Sequence, residues 1–295
     1  MSRPPAFSYL TSRGRPQTMA RPSFLGLLLI TPALIMIGAL FLYPLGFSLA
    51  AAFTEPGGGL SLMHFQKAYE LYSTDILFTL FIVVVSTLLT GLFSIIIAGI
   101  LTLSETPWLI VALRNLYRWP LFIPFIVAAQ CMRTFLAKNG LMNNSFVALG
   151  LMEPIQTTSF LDWRGIIITF VWKQVPFVTL MLAGAMASID RATIEAGRNL
   201  GASRVRVLIE LVLPQVAQTL LVGLVLSFVT MLSVLSVPMM VAGSQPTMLT
   251  VDMAFRINSY GDYATANALG VISYFMAGTV AWIYLRHNVK REVQA

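Results

Sequence analysis

Residues 76–104 read ILFTLFIVVVSTLLTGLFSIIIAGILTLS. Twenty-nine residues pass without one ionisable acid or base. A helix that crosses the roughly 30 Å hydrocarbon core of a bilayer needs roughly 20 apolar residues. This stretch exceeds that length, and it has no polar face with which to meet water. It predicts a transmembrane helix. Neighbouring stretches repeat the pattern. Residues 23–54 carry no charge, nor do 211–251 and 263–285. The 211–251 stretch is long enough for a span followed by a re-entrant or loop segment. Two further spans are less pure: 117–136 carries Arg133 near its end, with Arg118 at its inner edge, and 165–187 holds Lys173. The expected fold is all-α, with six spans at about 23–53, 76–104, 117–137, 164–187, 215–241 and 263–286.

Composition agrees. The chain has 295 residues, of which 57% are hydrophobic and 11% charged, with mean hydropathy +0.79. A soluble chain carries about 25% charged residues. An ordinary soluble enzyme, a disordered chain, a collagen and a disulfide scaffold are all excluded. The single Cys131 cannot form an internal disulfide. The net charge of +7 does not gather on one face as in a nucleic-acid binder. It falls in the short gaps between apolar stretches, where Lys and Arg set topology. With the N-terminus inside, thirteen of these residues lie in inner segments: Arg3, Arg13, Arg15, Arg21, Arg114, Arg118, Arg191, Arg198, Arg204, Arg206, Arg286, Lys290 and Arg291. Only Lys67, Lys138 and Arg256 lie in outer loops. Both termini are therefore expected in the cytoplasm. The first apolar run exceeds the roughly 7–15 residues of a signal-peptide core, so it is expected to remain as a span. A loose tail covers 1–22 and a short one 288–295.

The longest polar interruption on the inner side is 188–214, SIDRATIEAGRNLGASRVRVLIELVLP. Ser188 or Asp190 can cap a short helix over about 191–200. Gly201 can stop it in the left-handed conformation. Ser203 can cap a second helix toward Leu213, where Pro214 is expected to break or kink the chain. Ala196, Gly197, Gly201 and Ala202 are small enough to let another surface approach the backbone.

The order Glu195-Ala196-Gly197, three residues, Gly201, nine residues, then Leu211-Val212-Leu213-Pro214 resembles the signature loop of permease subunits of bacterial ABC importers. The family pattern is Glu-Ala-Ala, three residues, Gly, nine residues, Ile, one residue, Leu-Pro. Gly197 stands where the pattern has Ala, and Leu211 where it has Ile. Asn139-Gly140-Leu141-Met142-Asn143 with Leu149-Gly150-Leu151, and Trp172 with Pro176-Phe177, are also similar to the family. The stretch 54–62, Ser236-Val237-Pro238 and Val241-Ala242-Gly243 resemble the branch that handles polyamines and other small charged solutes.

The resemblance implies a type I importer fold. It implies a pore shared with a second permease, more readily a different chain than a copy. It also implies ATPase subunits docked on the loop 188–214 and a separate solute-binding protein outside. Glu195, Ala196, Gly197, Arg198, Gly201, Ala202, Leu213 and Pro214 would form the coupling loop. Arg198, Arg204 and Arg206 would reach acidic or polar groups of the partner or of lipid. ATP and Mg would be bound by the partner ATPases. This chain has no G-x-x-x-x-G-K-[S/T] phosphate loop. It is expected to be a non-catalytic subunit of the bacterial inner membrane. The expected solute is polyamine-like or another small charged organic molecule. A carbohydrate or polyol is the alternative.

Polar residues inside spans are the candidates for the solute pathway, because charge at membrane depth is costly and usually faces a cavity or a partner. Lys173 leads, followed by Arg133, Gln130, Trp172, Gln174 and Asn267. A cationic pathway at Lys173 favours an anionic solute, in conflict with a polyamine. The other reading of Lys173 is a structural pair or snorkelling, and for Arg133 snorkelling from the outer end of its span. An intramembrane enzyme would need clustered His, Asp, Glu or Cys at depth, and the sequence shows no such cluster and no metal-ligand spacing. A secondary transporter would place acids at mid-membrane or show related halves. Neither is seen.

Overall fold

The computed structural model describes residues 24–55, 57–242 and 245–292. The inner-tail arginines up to Arg21, Pro56 of the stretch 54–62, and Gly243 lie outside the described residues. Among those described, the chain is helical apart from turns and one isolated bridge between Thr54 and Leu60. It divides into a short unit ending at Ser48 and a large one from Leu49 onward.

The chain opens with an uncharged helix, α1 (Phe24–Ile37), which a π-helical turn at Gly38–Leu42 joins to α2 (Tyr43–Phe53), and the unit boundary falls within α2. Pro44 supplies the reason for the wide turn. Its ring excludes an ordinary bond to the carbonyl four residues back, and a π turn takes up the mismatch.

In the large unit, α3 spans Met63–Leu103, 41 residues or about 60 Å. Sequence reading starts this span at 76, where the charges stop. The helix starts thirteen residues earlier. Lys67, Glu70 and Asp75 mark where the chain leaves the apolar layer, not where the helix begins. Its outer turns are held by local bonds such as Gln66 Nε2 to Glu70 Oε1, 2.9 Å.

The third span differs most from expectation. It is broken into α4 (Pro107–Leu116), a 3₁₀ turn at Trp119–Phe122 and α5 (Phe125–Leu136), with a bend of 110° between the two halves. Pro120 and Pro124 lack amide hydrogens, so the helical ladder cannot run through them. The short α6 (Leu141–Ala148) follows. Asn143, within the family-like stretch 139–143, donates to the carbonyls of Ala137, Lys138 and Thr158 and ties the loop together.

Asp162 caps α7 (Trp163–Ala187) by accepting from the Arg164 amide at 2.8 Å. Next come α8 (Arg191–Asn199) and α9 (Arg204–Arg206). A π segment, Val207–Val212, leads from α9 into α10 (Leu213–Ser233). Pro214 was the expected break or kink. Instead a helical path runs from Arg204 to Ser233, because the π segment just before the proline accommodates its ring. The helix of the fifth span therefore begins well before 215 and ends at Ser233. Beyond it lie α11 (Ser236–Val241), α12 (Leu249–Tyr260) and α13 (Tyr263–Glu292).

Three apolar clusters hold the large unit. Ile82, Ile166, Phe170, Phe228, Met231 and Val237 join α3, α7, α10 and α11. Ala68, Leu249 and Leu269 join the first turns of α3 to α12 and α13. Ala98, Leu182, Met186, Val207 and Val212 join the end of α3, the end of α7 and the approach to α10. Small hydroxyl residues (Ser86, Thr90, Ser94, Thr179 and Ser227) are buried among these helices. That suits close helix packing in lipid, where apolar burial alone provides little drive.

Candidate functional site

The hairpin 188–214 is built from its caps outward. Asp190 Oδ1 accepts from the Ala192 amide at 3.0 Å and starts α8. Gly201 ends it with φ +84°, a conformation that glycine adopts without a Cβ clash. The amide of Gly201 returns to Arg198 O and that of Ala202 to Gly197 O, so the turn satisfies the carbonyls left at the helix end. Ser203 Oγ then accepts from the Arg206 amide and starts α9.

One face of the hairpin is packed and the other is open. Ile194 and Ala202 pack on the cluster of Val207 and Val212. Glu195, Ala196, Arg198, Gly201 and Pro214 are exposed, while Gly197, Ala202 and Leu213 are half-buried. The Glu195 carboxylate forms no ion pair among the described residues. Leu200 is 90% exposed, and Val205 and Ile209 are also exposed. Sequence reading missed these three apolar residues, because side chains of this type were assigned to the lipid or the core.

The arginines are already engaged within the chain. Arg198 Nη1 lies 2.6 Å from Glu105 Oε1, and Arg204 Nη2 lies 2.9 Å from Glu105 Oε2. Arg206 Nε reaches Glu210 at 3.0 Å. All three side chains nonetheless stay largely exposed, at 43%, 48% and 66%. Glu105, in the loop between α3 and α4, clasps the end of α8 and the start of α9. The Arg198 hydrogen bond, with the charges of Arg198 and Arg204, lowers its pKa. Nothing in the order of the residues signals this pairing across 93 positions.

The two departures from the family pattern meet each other. A Cβ on Gly197 would lie 2.6 Å from Leu211 Cδ1. The glycine vacates the space that the leucine fills.

The pathway candidates divide between two cavities. Gln130 and Trp172 line one of about 530 Å³, with Cys131 and Phe135. Lys173 and Gln174 line another of about 550 Å³ beside the break in the third span. Arg133 is exposed near the end of α5 and lines neither cavity. Asn267 is half-buried on α13. Lys173 is 6% exposed, and its Nζ donates to Pro120 O and Ile123 O, each at 2.6 Å. It also lies over the Phe125 ring, 4.9 Å from the centroid. Pro120 O otherwise takes only the Ile123 amide, at 3.3 Å, so the lysine ties together the carbonyls at the break in the third span.

A polar cluster that sequence reading missed joins α3 to the segment leading into α12. The Thr247 amide donates to Asp75 Oδ1 at 2.7 Å and its hydroxyl to Asp252 Oδ1 at 2.8 Å. The Leu249 amide donates to Thr79 Oγ1 at 3.0 Å. Asp252 is buried, and its Oδ2 has no hydrogen-bond partner. Its pKa is pushed up to about 6 by burial; the Thr247 hydroxyl opposes the shift, the Asp75 charge adds to it and Arg256 opposes it. Nearby, Asp262 accepts from Lys67 at 2.6 Å. Burial would raise the Asp262 pKa, but the Lys67 and Thr265 hydrogen bonds bring it to about 2. No group of three or more His, Cys, Asp or Glu able to hold a metal occurs among the described residues.

Comparison with known proteins places this geometry. Residues 94–292 match the family described as binding-protein-dependent transport system inner membrane component. The sulfoquinovosyl glycerol transport system permease protein SmoG of Agrobacterium fabrum is 26% identical over 286 residues, covering 89% of each chain. The spermidine/putrescine transport system permease protein PotB of Escherichia coli is 21% identical over 177 residues, 59% of this chain and 64% of that one. A crystal structure of a bacterial ABC transporter involved in the import of the acidic polysaccharide alginate superposes with a TM-score of 0.75 at 23% identity, covering 90% of this chain and 95% of that one. The family match takes in α4 to α13 with the whole hairpin. The chain belongs to the family of binding-protein-dependent transport system inner membrane components, and is a multi-pass inner-membrane permease of an ABC importer for a small solute.

Proposed function

We propose that residues 188–214 are the element through which separate ATPase subunits drive this permease. The observation that carries the reading is the hairpin's construction. Its turn is closed by hydrogen bonds, its inner face is packed, and its outer face presents Glu195 beside the exposed Leu200, Val205 and Ile209. Such a face suits a groove on another protein, with an apolar contact ringed by charge. The hairpin is joined at one end to α7 through Ser188–Asp190. At the other it runs without a break into α10. A push on α8 therefore reaches two spans at once, as alternating access between inward-open and outward-open states requires. Glu195 meets a basic or polar group of the ATPase, and Gly197 and Gly201 let that surface come close. ATP and Mg belong to the ATPases. A second permease, more readily a different chain than a copy, completes the pore. A binding protein delivers the solute on the outer side, and both termini lie on the ATPase side.

The solute reading shifts from its first form. SmoG matches at higher identity and over more of the chain than PotB. A sugar-derived solute of the kind SmoG is named for is therefore the better-supported reading than a polyamine.

Glu195→Arg and Gly201→Asp test the hairpin. Both variants should insert in the membrane, yet lose most solute-stimulated ATP hydrolysis and uptake. Normal transport by both would show that coupling runs elsewhere. Robust uptake by the chain without an ATPase would favour an ion-gradient transporter instead.

A further inference from the structure

Lys173 lies ten residues into α7, about 15 Å along a helix axis, so near the middle of a roughly 30 Å apolar layer. An ammonium buried that deep without a counter-ion is costly. Among the described residues it has no carboxylate partner. Its contacts are two neutral carbonyl oxygens and the face of Phe125. An ammonium has three N–H donors, and these contacts leave one unclaimed. Beside it the Gln174 amide nitrogen is buried and without a hydrogen-bond partner, while its Oε1 accepts from Ser227 at 3.4 Å. Both residues line the same cavity of about 550 Å³, and no acidic side chain lines it. Thr230 on its wall has its hydroxyl bonded back to Leu226 O. The cavity thus offers one uncompensated positive charge with a spare donor within otherwise apolar walls, and the unpartnered Gln174 amide nitrogen lies buried beside it.

We propose that this cavity is a subsite for an acidic group of the transported solute — a carboxylate, sulfonate or phosphate — whose charge supplies the counter-ion that Lys173 lacks. The proposal rests on the reading of the chain as an importer permease and adds the charge class of its solute. Two carbonyl oxygens fix the ammonium at the broken third span, so it is positioned before the solute arrives. A polyamine would meet a like charge and no acceptor carboxylate. The mid-layer depth excludes lipid headgroups, which sit at the interface.

The test uses the membrane complex purified with its ATPase and without the binding protein, so that only the membrane subunits can bind. Unfolding midpoints are measured with glucuronate, glucose 6-phosphate, trehalose and spermidine. Glucuronate or glucose 6-phosphate should raise the midpoint by a few degrees in a saturable way, as binding to the folded state does, while trehalose and spermidine leave it unchanged. Lys173→Met should abolish the rise and Lys173→Arg should keep most of it. An equal rise with trehalose or spermidine, no rise with either acid, or a wild-type rise in Lys173→Met overturns the proposal. Should Lys173→Met not assemble, the wild-type panel decides by its selectivity alone. Recovery of the ATPase with the wild-type chain is scored separately. Its loss strikes the importer reading, and its presence with no acid response strikes only the subsite.

Discussion

At the residue scale, the signature loop was legible because its chemistry is local. A cap at Asp190, a left-handed stop at Gly201 and a second cap at Ser203 each depend on neighbours a few positions away, and each occurs where the spacing placed it. The pairing of Gly197 with Leu211 was not legible, because it is a contact across the turn. It has a measurable consequence. Gly197→Ala should gain roughly 1 kcal/mol of helix propensity but must turn the end of the Leu211 side chain aside, at a cost of about 1 kcal/mol, the low end for overpacking. The single variant should therefore be no more stable than wild type. Gly197→Ala with Leu211→Ile restores the family's own pair, and should unfold a few degrees above the single variant. Additive effects in a double-mutant cycle of thermal midpoints would show that the two positions do not sense each other. Lys173 was legible only in part. Its depth marked it for attention, but the carbonyls of Pro120 and Ile123 that hold it belong to a break that apolarity alone does not reveal.

At the scale of elements, hydropathy located the spans and misplaced their ends. It senses where the chain leaves the apolar layer, whereas backbone hydrogen bonds decide where a helix stops. Thus α3 continues outward past Asp75, and the helix that carries the fifth span starts at Arg204. The outer turns of α3 then have a task that sequence reading did not assign. Asp75 and Thr79 receive the segment 247–249, and Tyr72 accepts from Arg256 of α12. The buried Asp252 makes this docking sensitive to pH. Its folded pKa of about 6 exceeds the ordinary value of 3.8, so the protonated acid is the form that the fold favours. The stabilisation is fully present below pH 3.8 and is lost as pH rises through 6. A rise from 3.8 to about 6 corresponds to roughly 3 kcal/mol. Protection of the amides across residues 249–260, once corrected for the base catalysis of exchange in a free chain, should accordingly be lower at neutral pH than at pH near 5. Asp252→Asn cannot titrate and should flatten that dependence. An unchanged pH profile in the variant would assign the effect to another group.

At the scale of the whole molecule, the number of crossings fixes which surfaces can meet which partners. Among the described residues, five helices are long and apolar enough to cross a membrane, and the bent pair Pro107–Phe122 with Phe125–Ala148, taken as one span, makes six. With six crossings, the hairpin 188–214 and the loop at Glu105 fall on one side, and α6 and α12 fall on the other. The excess of Lys and Arg in the first set argues that this side faces the cytoplasm. On the proposed coupling, the exposed Leu200 faces the ATPases and the α12 docking site faces the binding protein. Cysteine labelling in sealed cells resolves it directly. In a Cys131→Ser background, a cysteine introduced at Leu200 should resist a membrane-impermeant maleimide until the membrane is opened. A cysteine introduced at Lys138 should react in intact cells. Docked ATPase should then shield Leu200→Cys in opened membranes, and Glu195→Arg should restore its labelling, because the contact that covers Leu200 would be lost. Labelling of Leu200→Cys in intact cells would invert the topology and remove the hairpin from the ATPase side. Labelling that ignores the ATPase in opened membranes would keep the topology while moving the contact off Leu200.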